Sequence, residues 1–304
     1  MNDFNAEPAA LRSAELVAVE RVLNSGWYVL GQEVRAFEQA WAGRCGTTRA
    51  AGVGNGMDAI EIGLRALDVG PGDEVITTPM TAFATVLAIV RAGATPVLAD
   101  IDPRTALLAP ESVERCITSQ TRAVVLVHLY GQIRDMDNWV ELCARHGIAL
   151  LEDCAQAHLA EWNGKVAGSF GRAGAYSFYP TKNLGAIGDG GALVSSDAAL
   201  MDRVEVLRNY GQSVRYEHPE LGLNSRLDEL QAALLQVRLD WLDGFTRRRQ
   251  EIAASYRAGL ENPLVRLLQA PEHSENHVYH LFVITSEERE RLSGFLKERG
   301  VATL

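Results

Sequence analysis

The spacing of apolar residues along the chain predicts helices and strands that alternate from about residue 50 onward. Residues 13–24 and 33–42 have helical periodicity, and residues 81–92 form an apolar run that we predict as a buried helix. The nearly continuous apolar run at residues 123–128 is typical of a strand covered on both faces. Further strands are predicted at residues 95–101, 148–153, 191–196 and 278–284, and another short strand ends at residues 76–79. Further helices are predicted at residues 137–146 and 287–300.

This alternation predicts an α/β fold, in which helices wrap a mostly parallel sheet. Asp100, His128 and Asp153 all fall at the carboxyl ends of predicted strands, which is the edge where ligands bind in open α/β sheets. Residues 228–260 are predicted to form one long helix, or two helices joined near Gly244.

Composition and charge restrict the class of protein. The chain has 304 residues, 47% hydrophobic and 22% charged, which is enough for one large globular domain and a smaller one. A net charge of −10 without a basic stripe argues against nucleic acid as a partner. We expect a cytoplasmic protein, because no apolar stretch is long enough to cross a membrane and the N-terminus is not a signal peptide. Without CxxC or zinc-type spacing, the cysteines are expected to be free thiols; they are Cys45, Cys116, Cys143 and Cys154.

Two residues carry the candidate chemistry. Lys182 lies in a loop after a short β-like run, between a proline and several glycines, and Asp153 ends an apolar strand. Pyridoxal phosphate needs such a pair, because a lysine amine forms a Schiff base with its aldehyde and a carboxylate keeps its ring nitrogen protonated. The alternatives are a surface lysine and an aspartate that pairs with an arginine or caps a helix. Schiff-base chemistry would require a lowered pKa for Lys182.

A glycine-containing turn, Gly54-Asn-Gly56, precedes a predicted helix. Glycines before a helix let backbone amides approach a phosphate, and the helix N-terminus adds partial positive charge. Ordinary turns use the same residues, so the phosphate site is inferred only because Lys182 and Asp153 require one. The turn is not followed by the rest of a GxGxxG motif, which disfavours a Rossmann dehydrogenase.

Three histidines near the C-terminus, His273, His277 and His280, raise the question of a metal site. His277 and His280 are three residues apart on a predicted strand, so we expect their side chains to point to opposite faces. We therefore expect no metal site there.

The motifs occur in the same order in a known family. The chain resembles the sugar aminotransferases of the DegT/DnrJ/EryC1/StrS group from Ser25 to its last residue. The matching blocks are Gly70-Pro-Gly-Asp-Glu-Val-Ile76, Ala92-Gly-Ala-Thr-Pro-Val97, Val127-His-Leu-Tyr-Gly-Gln132, Glu152-Asp-Cys-Ala-Gln-Ala-His158, Ser177-Phe-Tyr-Pro-Thr-Lys-Asn183, Gly188-Asp-Gly-Gly191, Arg208-Asn-Tyr-Gly211 and Asn224-Ser-Arg-Leu-Asp-Glu-Leu-Gln231. So many blocks in order make the resemblance specific.

The resemblance implies the aspartate aminotransferase fold (fold type I), with a mostly parallel seven-stranded sheet in a large domain and a small C-terminal α/β domain. We expect residues 1–245 to form the large domain, which includes N-terminal helices and binds pyridoxal 5′-phosphate, and residues 246–304 to form the small domain. Residues 301–304 look like the start of another strand, whereas the family continues with about another strand–helix–strand segment. The small domain is therefore expected to be truncated and incomplete.

The resemblance also implies a role for each site residue. Lys182 would form the Schiff base and move the proton between substrate and cofactor, and Asp153 would face the ring nitrogen. The other cofactor-binding positions are Gly56, Met57 and Asp58 in the phosphate turn, Ser177 beside it, Phe83 stacked on the ring, Gln156 at the ring hydroxyl and Asn224 from the neighbouring subunit. The role of Asn224 implies a homodimer with shared active sites. Met57 stands where many members have threonine or serine, so one side-chain bond to the phosphate would be lost.

The family moves an amino group from an amino acid, usually L-glutamate, to a nucleotide-linked keto sugar in two half-reactions. The products are amino sugars for polysaccharides or antibiotics. One alternative is a sugar dehydratase, which Lys182 disfavours because those relatives have histidine at its position. The other is a truncated paralogue that binds the cofactor without catalysis, for which the missing C-terminal segment is the support.

Overall fold

The computed structural model describes residues 4–303, in which helices and strands alternate as the apolar pattern predicts. Its α-helices are α1 (Ala9–Ser25), α2 (Gln32–Cys45), α3 (Gly56–Ala66), α4 (Phe83–Arg91), α5 (Pro110–Cys116), α6 (Met136–His146), α7 (Ala198–Leu207), α8 (Glu229–Gly259) and α9 (Arg289–Glu298). Its main strands are β1 (Arg49–Val53), β2 (Glu74–Thr77), β3 (Thr95–Leu98), β6 (Thr121–Val127), β7 (Ala149–Asp153), β10 (Ala173–Ser177) and β11 (Gly191–Ser195). Short two-residue strands are β4 (Ile101–Asp102), β5 (Leu107–Leu108), β8 (Glu161–Trp162), β9 (Lys165–Val166), β12 (Arg266–Leu267) and β13 (Ile284–Thr285).

The seven main strands form one sheet in the order β1-β11-β10-β7-β6-β2-β3. Six of them run in the same direction, and β11 is antiparallel to both of its neighbours. This confirms the predicted α/β fold with a mostly parallel seven-stranded sheet. Because the six strands are parallel, their carboxyl ends meet at one edge of the sheet.

Apolar side chains alternate between the two faces of the sheet. On β6, Val124 and Leu126 pack with α2, α6 and α8, whereas Ala123 and Val125 pack with α3, α4 and α7. Each face is therefore a separate buried cluster, which explains why β6 has a nearly continuous apolar sequence. Helix α1 lies outside these layers and packs on α8 through Ala18 and Val22.

The C-terminal part departs from the predictions in two places. The predicted strand at residues 278–284 is wrong: only Ile284–Thr285 is a strand, paired with Arg266–Leu267. The preceding residues instead bond to the loop after β6, through Val278 N–H to Gly131 O and Leu281 N–H to Tyr130 O. Residues 301–303 are not a strand, and residue 304 lies outside the described part of the chain.

Helix α8 is one continuous helix of 31 residues, which settles the choice between one helix and two. Its first residue, Glu229, is buried and accepts hydrogen bonds from the N–H groups of Gly31, Glu33 and Val34, at 2.7–3.0 Å. A carboxylate at this position satisfies the unpaired donors at the start of α2 and complements its dipole. The loop at residues 25–31 is thereby tied to α8.

Two further observations concern membrane-spanning helices and the cysteines. None of the helices within residues 4–303 combines the length and apolar character needed to cross a bilayer. All four cysteines are free thiols, as expected from their spacing.

A buried carboxylate organises the loop between β7 and β10. Glu152 accepts hydrogen bonds from the N–H groups of Gly168, Phe170 and Gly171 at 2.7–2.8 Å, and His128 Nε2–H donates to it at 2.9 Å. Glu152 is fully buried, and a buried carboxylate is costly unless all its lone pairs are used. The loop donors and His128 meet that requirement.

We predict that Glu152→Ala lowers the free energy of unfolding by about 3–5 kcal/mol, because it leaves the buried His128 and three loop N–H groups, one buried and two partly buried, without an acceptor. Urea unfolding followed by circular dichroism measures this change. As a control, Glu251→Ala removes an exposed carboxylate paired with Arg248 and should change stability by less than about 0.5 kcal/mol. Equal effects of the two substitutions would contradict the assigned role of Glu152.

Candidate active site

The carboxyl edge of the sheet brings Asp153 to the centre of a group of polar residues. Asp153 ends β7 and pairs with Val127 on β6 and Ala175 on β10. Strand β10 ends at Ser177, and β1, which is parallel to β10, leads through residues 54–55 into α3. Three chain segments therefore converge where the sequence predicts a ligand.

Not every strand-end residue belongs to this group. Asp100 follows β3, the edge strand, three places along the sheet from β7, and it is exposed. His128 follows β6 but is buried and donates to Glu152. Of the three strand-end residues singled out by the sequence, only Asp153 faces the candidate site.

The Asp153 carboxylate is held on both of its oxygens. Thr85 Oγ1 donates to Oδ2 at 2.8 Å, the Ala155 N–H donates to Oδ1 at 3.1 Å, and only 4% of the residue is exposed. No arginine within residues 4–303 forms an ion pair with it, so the alternative of an Asp153–arginine pair is not realised there. Each oxygen retains a lone pair that could accept a ring N–H.

Lys182 is half-buried rather than a surface lysine. Burial lowers its pKa, and the Asp153 carboxylate partly opposes this by favouring the ammonium form. Its backbone N–H donates to Tyr179 O at 2.8 Å, which closes a tight turn around Pro180. A lysine amine with a lowered pKa beside a buried carboxylate fits the amine and the ring-nitrogen partner that pyridoxal phosphate requires.

The first turn of α3 offers free backbone donors. The Asn55 side chain accepts the Asp58 N–H at 2.9 Å, which leaves the Gly56 and Met57 N–H groups without an acceptor among residues 4–303. A Cβ on Gly56 would lie 2.6 Å from the Ser177 Cβ, so only glycine allows this approach. Ser177 therefore lies beside two free N–H groups at a helix N-terminus, an arrangement that fits a phosphate.

The Asp58 carboxylate has partners outside the turn. Oδ2 accepts a hydrogen bond from Ser225 Oγ at 2.7 Å, and Oδ1 lies 3.3 Å from Arg91 Nη1. Ser225 Oγ in turn accepts the Gly54 N–H at 2.9 Å. Asp58 thus joins the turn to the segment around Ser225, and its own N–H is already used by Asn55.

Gln156 has a defined orientation. Its Oε1 accepts the Tyr130 N–H at 2.7 Å, so its Nε2 group remains available as a donor. Tyr130 has φ 63°, a left-handed conformation that is uncommon for a bulky residue. This conformation directs the Tyr130 N–H at Gln156.

The two remaining predicted residues lie at the borders of the site. Phe83 is the first residue of α4 and is 73% exposed, two residues before the Thr85 that contacts Asp153. Asn224 is exposed and immediately precedes Ser225, so its backbone lies close to the phosphate turn of its own chain. Its predicted contact is with the neighbouring subunit.

Sequence reasoning missed several residues of the site. Thr85 could have been found, because it is the one polar residue in the apolar sequence of α4 between Phe83 and Val90. His158 is fully buried, its Nε2–H donates to Ser177 O at 2.9 Å, and burial lowers its pKa to about 3. It therefore supports Ser177 as a neutral ring.

The C-terminal histidines are arranged differently from the prediction. His277 stacks on Tyr279 with ring centroids 3.8 Å apart, in an irregular segment instead of a strand. His280 lies beside Asn183, with Nδ1 3.3 Å from Oδ1. The sequence gives no signal for this contact, because the two residues are 97 positions apart.

The structure is similar to solved structures of which several are named as aminotransferases. DesV from Streptomyces venezuelae, in complex with a ketimine intermediate, has a TM-score of 0.96 and 46% identity, covering 99% of this chain and 81% of that chain. NtdA from Bacillus subtilis, with bound cofactor PMP, has a TM-score of 0.89 and 30% identity, covering 96% of this chain and 68% of that chain. Fold and site define the class of pyridoxal-phosphate-dependent aminotransferases.

The family is also defined. The dTDP-3-amino-3,6-dideoxy-alpha-D-galactopyranose transaminase of Aneurinibacillus thermoaerophilus is 48% identical over 287 residues, which are 94% of this chain and 79% of the relative. A sequence model of the DegT/DnrJ/EryC1/StrS aminotransferase family matches residues 9–304. The chain belongs to this family, and pyridoxal 5′-phosphate is its cofactor.

We predict that the pKa of Lys182 in the cofactor-free protein lies below 10.5 and falls further in Asp153→Asn, because the substitution removes the charge that favours the ammonium form. Lys182 is one of three lysines, with Lys165 and Lys297, so ¹³C-methylation gives few NMR signals to titrate.

The matched control is Asp100→Asn, which neutralises another strand-end aspartate, at the far edge of the sheet. It should leave the Lys182 titration unchanged. A rise in the pKa of Lys182 in Asp153→Asn would contradict the arrangement of the two groups.

Proposed function

We propose that this protein transfers the amino group of L-glutamate to the keto group of a nucleotide-linked sugar and so makes an amino sugar. The observation that carries the proposal is the Lys182 amine, whose pKa is lowered by burial, beside the buried Asp153 carboxylate in a chain of this aminotransferase family. The relative from Aneurinibacillus is named for a dTDP-linked amino sugar, which supports a nucleotide-linked substrate here.

In this proposal each site residue has a separate task. Pyridoxal phosphate, when bound, supplies an electron sink for the carbon that loses a proton. Lys182 removes the proton from the substrate carbon and returns it, and Asp153 accepts the ring N–H and keeps that nitrogen protonated. The Gly56 and Met57 N–H groups and Ser177 bind the phosphate.

The remaining residues of the proposal orient and cover the ring. Gln156 donates from Nε2 to the ring hydroxyl, because its Oε1 is occupied by Tyr130. Phe83 covers the ring face from the start of α4, and Asp58 secures the phosphate turn through Ser225. Met57 contributes its N–H but no hydroxyl.

The assembly and location belong to the same proposal. We infer a homodimer with shared active sites in the cytoplasm, with residues 1–245 and 246–304 as its large and small domains. Exposed large apolar side chains support a covering subunit; among them are Trp27, Tyr28, Phe83, Tyr179, Ile187, Tyr210 and Tyr216. Asn224 would then meet the phosphate of the neighbouring subunit.

We predict that Lys182→Ala abolishes the visible absorption band that pyridoxal 5′-phosphate gives with the protein. It should also slow amino transfer from L-glutamate to nucleotide-linked keto sugars by on the order of 10³-fold or more, because it removes both the covalent attachment and the base. Spectrophotometry and mass spectrometry of the sugar products measure the two effects.

Lys165→Ala is the control, since Lys165 is an exposed lysine on β9. An unchanged band in Lys182→Ala would remove Lys182 from its proposed role. A band in the unaltered protein with no transfer to any sugar would instead favour a protein that binds the cofactor without turnover.

Shared active sites predict complementation between two inactive variants. In a mixed dimer of Lys182→Ala and Asn224→Asp, one site would carry both changes and the other would carry neither. Co-expression should therefore restore about a quarter of the unaltered activity, because half of randomly paired dimers contain one intact site. No recovery in verified mixed dimers would place Asn224 in the site of its own chain.

A further inference from the structure

The Asn183 side chain is held at both ends by one short segment of the C-terminal part. Its Nδ2 donates to Val278 O at 2.9 Å, and its Oδ1 lies 3.3 Å from His280 Nδ1. Asn183 is buried and directly follows Lys182. The position of the lysine backbone is thereby linked to residues 278–280, which are about 100 positions away in the chain.

These contacts determine the tautomer of His280. A carbonyl oxygen can only accept, so the Asn183 group that meets Val278 O must be the NH₂ group, and Oδ1 therefore faces His280. Because Oδ1 has no proton, His280 Nδ1 must donate. Burial, together with Lys182 and Arg249, lowers the pKa of His280 to about 3, so the ring is neutral with its proton on Nδ1.

The segment that carries His280 is itself held from two sides. Its Val278 N–H donates to Gly131 O at 2.8 Å, in the loop that also orients Gln156. From the other side, Arg249 Nη1 on α8 donates to the carbonyl oxygens of Tyr279 and His280 at 3.2 and 3.3 Å.

Close packing adds to the immobilisation of this segment. Gly131 has φ 94°, and a Cβ there would lie 2.8 Å from Gln156 O and 3.0 Å from His280 N. A side chain at position 131 would push the loop of Gln156 and the segment of His280 apart. The backbone of His280 is therefore closely packed against this loop.

We propose that His280 is a positioning residue for the Lys182 amine, acting through the Asn183 side chain, with Nδ1–H donated to Asn183 Oδ1. The proposal rests on the proposed role of Lys182 as the reacting amine. In it, the C-terminal segment holds the lysine loop in the geometry that proton transfer needs, and a displacement of about 1 Å would cost on the order of 10²-fold in rate.

Two amide substitutions distinguish this role from simple packing. His280→Asn places an N–H donor close to the position of Nδ1, whereas His280→Gln places it near the position of Nε2. We expect His280→Gln to lower kcat by on the order of 10- to 100-fold with little change in KM for either substrate, and His280→Asn to retain most of kcat. His146→Gln on α6 is the control, because it alters a histidine outside the site.

A second measurement does not depend on the loaded enzyme. In the cofactor-free, ¹³C-methylated protein, the Lys182 signal should shift and broaden in His280→Gln and in Asn183→Ala but remain unchanged in His280→Asn. The Lys165 and Lys297 signals should be identical in all variants and serve as internal references. Urea unfolding of each variant verifies that it is folded under the conditions of measurement.

A double-mutant cycle gives the decisive result. If His280 acts through Asn183, combining His280→Gln with Asn183→Ala should lower kcat little more than Asn183→Ala alone. The proposal would be overturned if the losses of kcat in His280→Gln and Asn183→Ala multiplied in the double variant. Equal losses of kcat in His280→Asn and His280→Gln would also overturn it. Retained transfer in Lys182→Ala would instead overturn the proposed function, so the two failures are distinguishable.

Discussion

The site depends on the balance between burial and one opposite charge at Lys182. Removing the amine from water favours its neutral, nucleophilic form, and the Asp153 carboxylate limits how far this goes. The same carboxylate is deeply buried and held by Thr85, so its direction is determined before any ligand arrives. Preorganised charge of this kind needs no rearrangement during a reaction.

Adjacent acidic residues on β7 have different surroundings. Side chains alternate along a strand, so Glu152 and Asp153 point to opposite faces of the sheet. Glu152 accepts hydrogen bonds from His128 and from N–H groups of the loop between β7 and β10. Asp153 keeps unused lone pairs and faces Lys182. Two consecutive acidic residues therefore have unrelated surroundings, which residue type alone does not reveal.

The sequence predicted those parts of the structure that are determined by residues close together in the chain. The apolar run of β6 reflects burial on both faces, and Lys182 and Asp153 were recognised because their chemistry is unusual in such positions. The segment at residues 278–281 was predicted wrongly, because the N–H groups of Val278 and Leu281 bond to a loop about 150 positions earlier. Local propensity cannot report such a partner, and the contact between Asn183 and His280 was missed for the same reason.

Helix α8 connects the loop at residues 25–31 with the segment around His280. At 31 residues it is about 46 Å long, and it continues from Glu229 to Gly259 without a break. Its first residue accepts a hydrogen bond from the loop at residues 25–31, which carries Trp27 and Tyr28. Arg249, further along the helix, donates hydrogen bonds to the backbone of Tyr279 and His280. A tilt of this rod would move both attachments together. The loop that carries Trp27 and the segment that contacts Asn183 are thus mechanically linked through one helix.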